Sequence, residues 1–120
     1  MNWQVWICGV SVCGVLALPS SAQPAAMRAQ DAYNRGDYAT AVREWKWLAT
    51  RDHELAQYNL GVMYAQGVGV AQDDAEAARW FREAAQRGHA RAQYNLGSMY
   101  FNGNGVAKDY VQAHMWLSLA

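Results

Sequence analysis

The sequence is poor in the residues that build reactive centres and covalent staples. It holds two cysteines, two prolines and two phenylalanines in 120 residues. Both cysteines, Cys8 and Cys13, lie close to the N-terminus, so the chain beyond them cannot form a disulfide, a CxxC redox pair or a Cys-type zinc site. Net charge is missing as well. Ten Lys+Arg balance ten Asp+Glu, which gives no electrostatic basis for binding nucleic acid or an anionic membrane. No charged side chain occurs before Arg28.

What fills that uncharged stretch is an apolar run from Trp3 to Leu18, followed by helix-breaking Pro19 and by Ser20-Ser21-Ala22-Gln23. Small residues at Ser20 and Ala22 suit signal peptidase, so the pattern predicts a signal peptide over 1–22, cut between Ala22 and Gln23. Export to the periplasm or beyond is the expectation. The run is shorter than the roughly 20 residues that cross a bilayer, which argues against a permanent anchor. Ile7 and Val12, bulky residues preceding the cysteines, argue against a lipoprotein signal. Cleavage would leave 98 of the 120 residues, with no membrane span and room for one domain.

The rest of the chain repeats itself. Ala56-Gln57-Tyr58-Asn59-Leu60-Gly61 returns unchanged as Ala92 to Gly97, a register of 36 residues. The register continues through Met63-Tyr64 and Met99-Tyr100, the two Gly-x-Gly-Val runs, Asp73 and Asp109, and Trp80 and Trp116. One further step back places Asp37, Ala41, Ala49 and His53 under Asp73, Ala77, Ala85 and His89. A period of this length signals stacked supersecondary units.

Each unit reads as two helices. Ala56, Leu60, Met63 and Tyr64 recur at spacings of three and four, one buried helical face. Gly61 costs about 1 kcal/mol of helix propensity relative to Ala, so its return as Gly97 predicts a close approach by a neighbouring helix. Asp73 is placed to cap the second helix, with Glu76 in reach to complete a capping box. Gly88 is placed to end that helix in the left-handed conformation, and Asp52, its counterpart, tolerates that geometry better than most residues. Glu44 stands where the later units carry Trp80 and Trp116, with Trp45 and Trp47 available to fill the space.

The pattern Ala-x-x-x-Leu-Gly-x-Met-Tyr-x-x-Gly-x-Gly-Val, then Asp and Ala-x-x-Trp, resembles the Sel1-like repeat, a relative of the tetratricopeptide repeat. The resemblance implies an all-α fold, a short right-handed α-solenoid of about three helix-turn-helix repeats, and a bacterial origin. Expected boundaries are a degenerate first repeat over 23–52, a second over 53–88 and a truncated third over 89–120. The third unit stops short of its glycine cap, which leaves a truncated unit, a covering partner or an incomplete gene product as alternatives.

Reactive constellations are scarce. His53 and His89 lie one repeat apart, too far for one metal ion, and suit turn-stabilising roles. Asp73 and Asp74 are accounted for by capping, and the Gly-x-Gly loops lack the lysine and hydroxyl of a phosphate loop. No metal, cofactor or catalytic residue is expected. Some cysteine-rich relatives in the family are associated with binding or hydrolysing β-lactams; this chain departs from them in lacking cysteines after the leader and a Ser-x-x-Lys motif.

Resemblance to tetratricopeptide grooves directs attention to the first helix of each unit. Tyr58, Val62, Gln66, Tyr94, Ser98, Phe101 and Asn102 are the candidate groove residues for a protein or peptide partner. Leu60, Gly61, Tyr64, Trp80, Leu96, Gly97, Tyr100 and Trp116 are assigned to packing. The leading expectation is a non-catalytic interaction scaffold in the cell envelope. Its alternatives are the β-lactam activity and a structural module that docks or self-associates through its uncapped C-terminal repeat.

Overall fold

A computed structural model describes residues 22–120, which form six α-helices and no strand. The predicted leader through residue 21, with both cysteines, lies outside the described residues. The helices are α1 (Ala22–Asn34), α2 (Tyr38–Ala49), α3 (Glu54–Gln66), α4 (Asp74–Gln86), α5 (Ala90–Asn102) and α6 (Tyr110–Leu119). They stand as three hairpins, each helix packed chiefly on its neighbours in sequence. None is long and apolar enough to cross a membrane.

Side chains at the helix starts explain where the helices begin. The second helix of each hairpin starts on an aspartate. Asp73 accepts hydrogen bonds from the Ala75 and Glu76 nitrogens at 3.0 and 3.2 Å, and Asp109 accepts from Val111 and Gln112 at 3.0 and 3.1 Å. First helices α3 and α5 start instead on histidines, whose Nδ1 atoms accept from the Ala56 and Ala92 nitrogens at 3.2 and 3.3 Å. These two histidines therefore hold turns. Glu76 does not close a capping box: the Asp73 N–H already donates to the Tyr64 carbonyl at 2.9 Å, and the Glu76 carboxylate accepts from Arg79 at 2.9 and 3.1 Å instead.

Left-handed residues end the helices where the pattern asked for them. Gly67, Gly88 and Gly103 adopt φ of +70°, +89° and +73°, and Asp52 takes the same conformation at +62°. The first hairpin turns faster than the others. Gly36 is followed at once by the cap Asp37, whereas five residues separate Gly67 from Asp73. Ala25, Ala29 and Ala32 thus occupy the buried face that Ala56, Leu60 and Met63 fill in α3.

Two apolar clusters make the core, one around α1–α3 and one around α4–α6. Leu48, Leu60 and Leu96 are fully buried, each worth about 1.5–3 kcal/mol of transfer energy. Trp80 of α4 belongs to the first cluster, so the hairpins interlock rather than merely touch. Trp45, in register with Phe81, is buried in the first cluster, while Trp47 points outward under the Arg51 guanidinium, 3.9 Å above its ring. Glu44 turns to Arg28 across the first hairpin at 2.6 Å.

The hairpins are also tied by two contacts that repeat. Gln57 donates to the Ala49 carbonyl at 3.1 Å, and Gln93 donates to the Ala85 carbonyl at 3.2 Å. Each glutamine reaches from a first helix to the end of the preceding hairpin. Gly69 lies against Tyr38 and Val42, and Gly105 against Asp74, so each glycine loop rests on the first turn of the preceding hairpin's second helix.

Candidate functional site

First helices α1, α3 and α5 carry the side chains that line a row of cavities. One, of about 210 Å³, lies between α1, α2 and α3 and is lined by Gln30, Tyr33, Trp45, Asn59 and Val62. The next, of about 420 Å³, lies between α3, α4 and α5. Tyr58, Val62 and Gln66 line it from α3, and Tyr94, Asn95 and Ser98 from α5. Val62 borders both cavities, which makes the row continuous.

Within this row the two tyrosines differ. Tyr58 is half-buried, stacked on the His89 ring at 4.6 Å and tilted on Phe81 at 5.8 Å. It is both wall and mortar. Tyr94 keeps 58% of its surface exposed and borders a shallower cavity with Ala90 and Arg91. Tyr58 owes its cover to His89, at the start of the following hairpin.

Of the seven groove residues read from the sequence, Tyr58, Val62, Gln66, Tyr94 and Ser98 lie together around the cavity between α3, α4 and α5. Phe101 and Asn102 do not line it. Phe101 sits two turns along α5 from Tyr94, about 10 Å away by helical rise, where its ring meets Tyr110 at 5.3 Å. Asn102 is exposed at the last turn of α5. Among the residues assigned to packing, Leu60, Gly61, Trp80, Leu96 and Gly97 are buried, and Tyr64, Tyr100 and Trp116 are partly buried against the core. Tyr100 also accepts a hydrogen bond from Arg82 at 2.7 Å.

Asn59 and Asn95 escaped the sequence reading. They line successive cavities one repeat apart, and neither carboxamide hydrogen-bonds to any described residue. The signal was present in Ala-Gln-Tyr-Asn-Leu-Gly, where two amide side chains persist inside a helix. Gln57 and Gln93 are consumed by the scaffold, which leaves the asparagines for contact. The walls of the 210 and 420 Å³ cavities carry one carboxylate, Asp74, held by the Gln72 amide at 2.7 Å, and no lysine or arginine, while Arg91 borders the shallower cavity beside Tyr94. Shifted titrations lie elsewhere. Arg79 holds Glu76 below the usual carboxylate range, Thr40 does the same for Asp37, and Glu44 raises Arg28. Among the described residues no three His, Cys, Asp or Glu side chains come together as a metal cluster.

The family model described as Sel1 repeat matches residues 54–89 and 90–120. The chain belongs to the Sel1 repeat family. Its matched units coincide with the α3–α4 and α5–α6 hairpins, and α1–α2 forms a further hairpin ahead of them. A protective antigen present in uropathogenic Escherichia coli strains, displaying an SLR fold, is 48% identical over 68% of this chain, with a TM-score of 0.67. A Sel1 repeat protein from Oxalobacter formigenes is 31% identical over 80% of this chain, with a TM-score of 0.72. The chain spans 18% and 38% of the lengths of those two structures. No curated protein matches it. Sel1 repeats commonly serve as protein-interaction scaffolds and are generally non-catalytic.

Proposed function

We propose that this Sel1 repeat protein is a non-catalytic scaffold that holds an extended peptide segment of a protein partner along the row formed by α1, α3 and α5. One observation carries the reading: Asn59 and Asn95 line adjoining cavities one repeat apart, and neither side chain hydrogen-bonds to a described residue. A carboxamide offers both a donor and an acceptor, which matches the alternating groups of an extended backbone. Tyr58, Tyr94 and Val62 supply apolar area beside it at low entropic cost. Near-neutral walls favour an uncharged segment over a phosphate backbone.

Selection of displayed peptides against residues 23–120 tests this reading. Enriched peptides are expected to bind wild-type protein and to lose binding to the Asn59→Ala, Asn95→Ala double variant, with helical circular dichroism unchanged. Peptides that bind the double variant equally well would sink it.

The scaffold is proposed to act after export, in the cell envelope. Support comes from the uncharged apolar run before Pro19 and from Pro24, which cleavage after Ala22 would leave in the first turn of α1, where proline is tolerated. A mature N-terminus other than Gln23 in protein recovered from the envelope would refute the cleavage site.

A further inference from the structure

Two asparagine–glycine pairs stand in one loop, Asn102-Gly103 and Asn104-Gly105. Such pairs are chemically reactive because glycine leaves the following backbone nitrogen unshielded. That nitrogen can attack the asparagine side chain. The two pairs share composition and solvent exposure, although Phe101 precedes the first and Gly103 the second. Their backbones differ.

Asn102 is the last residue of α5, and the Gly103 nitrogen donates to the Met99 carbonyl at 2.8 Å. Helical backbone angles and that hydrogen bond hold the nucleophile away from the Asn102 amide. Asn104 lies beyond the helix cap. Its own nitrogen is anchored to the Met99 carbonyl at 3.0 Å, but the Gly105 nitrogen donates to no described residue. The Asn104 side chain is exposed and makes no hydrogen bond to a described residue. The second repeat has no such pair at the corresponding place, where Val68 precedes Gly69.

We propose that Asn104 is a self-modification site, converted by attack of the Gly105 nitrogen while Asn102 is protected by the α5 cap. Hydroxide removes the Gly105 N–H proton, and the nitrogen forms a bond to the Asn104 side-chain carbonyl carbon. The C–N bond to the amide group breaks, and ammonia leaves after taking a proton from water. A five-membered succinimide remains. Solvent water then adds to either of its carbonyls and opens the ring, leaving aspartate or isoaspartate at position 104. The net change is one water consumed and one ammonia released, with no redox partner.

Both products act on the neighbouring repeat. Asn104 and Asp74 line the same cavity, so the new carboxylate brings like charge to the wall that already carries Asp74. Isoaspartate also lengthens the backbone just before Gly105. That glycine rests on the first turn of α4, where an added Cβ would run into the Asp74 carbonyl and lie 2.9 Å from the Ala75 nitrogen. The loop is therefore pushed off α4, and the contact between the last two hairpins loosens.

Residues 23–120 incubated in mildly alkaline buffer, then digested and sequenced by mass spectrometry, test the proposal. The expected result is conversion at position 104 with Asn102 intact, and conversion at both once urea unfolds the chain. Asn104→Gln should remove the acidic species formed by the folded protein, and Asn102→Gln should leave it. Folded protein in which Asn102 converts as fast as Asn104 would overturn the assignment. So would a folded chain in which neither reacts while both react in urea.

Discussion

A methyl group added to Gly61 would lie 2.7 Å from the ring of Phe81, so the first and second helices of this hairpin meet at backbone-to-ring distance. The same contact returns one repeat on, where a Cβ at Gly97 would lie 2.7 Å from Leu117. Alanine at either position gains about 1 kcal/mol of helix propensity but forces overpacking that costs about 1–3 kcal/mol. Which effect wins depends on whether the neighbour can move. Phe81 is 3% exposed and enclosed; Leu117 is 37% exposed and can swing outward. Gly61→Ala is therefore expected to destabilise by about 1–2 kcal/mol, and Gly97→Ala by less. Urea denaturation of both variants checks the order.

Gln57 is fully buried, donating to Ala49 while its own Oε1 meets no partner. The Ala49 carbonyl also accepts from the Asp52 nitrogen at 3.3 Å, so it keeps a donor if the glutamine goes. Gln57→Met, close in volume, is expected to cost about 1 kcal/mol or less. Gln57→Glu should cost several times that at neutral pH, because it buries a carboxylate facing a carbonyl. The sign of its pH dependence follows. Burial raises the introduced carboxyl's pKa in the fold, so the variant regains stability as the pH falls and the group takes up a proton. Thermal melts across pH test this directly.

Asp52 is the only non-glycine among the described residues with positive φ. It also forms an ion pair with Arg87 of the next hairpin at 2.6 Å, but 73% of its side chain is exposed. An exposed pair of this kind contributes roughly 0.2–1 kcal/mol. The left-handed conformation costs an ordinary L-residue about 1–2 kcal/mol, somewhat less for Asp. Conformational cost and ion pair nearly offset one another. Asp52→Gly is expected to change stability by less than about 0.5 kcal/mol, whereas Asp52→Val, which loses the pair and suits the conformation least, should be clearly destabilising.

Asp37 caps α2 by accepting from the Thr40 nitrogen at 3.3 Å, and this bonding at Thr40 holds its carboxyl below the usual value of 3.8. A depressed folded pKa means the stabilisation is present above the unfolded value and disappears as the pH falls through the folded one. Asn caps about as well as Asp but does not titrate there. The stability difference between wild type and Asp37→Asn is thus expected to be flat near neutrality. It should shift against the wild type as the pH drops below the usual carboxylate range. A difference that stays flat throughout would remove Asp37 from the acid transition.

Much of the architecture was legible in the linear chain, for a reason particular to repeats. Each hairpin meets its neighbour in the same way, so a contact must be encoded once per unit, and the encoding is visible as self-similarity. The return of Gly61 as Gly97 encodes the close approach of the paired helices. Asp52, standing for a capping glycine, announced a left-handed turn. The groove was less legible. Tyr58 and Tyr94 are the same letter in the same motif, but His89 stacks on Tyr58, while Tyr94 is 58% exposed. Phe101 follows Tyr94 at helical spacing, but two turns further along α5 its ring meets Tyr110 and lies outside the cavity.

The amino-acid order alone determined the helical hairpins, their period and the residues that start and stop each helix, because caps, glycines and apolar spacing act within a few residues of one another. Which amides were free and which were spent was decided only by tertiary structure. Gln57 and Asn59 lie two residues apart on one helix. One turns inward to the Ala49 carbonyl of the hairpin before, and the other faces an open cavity. That division depends on what the neighbouring hairpin presents, and no local sequence rule carries it.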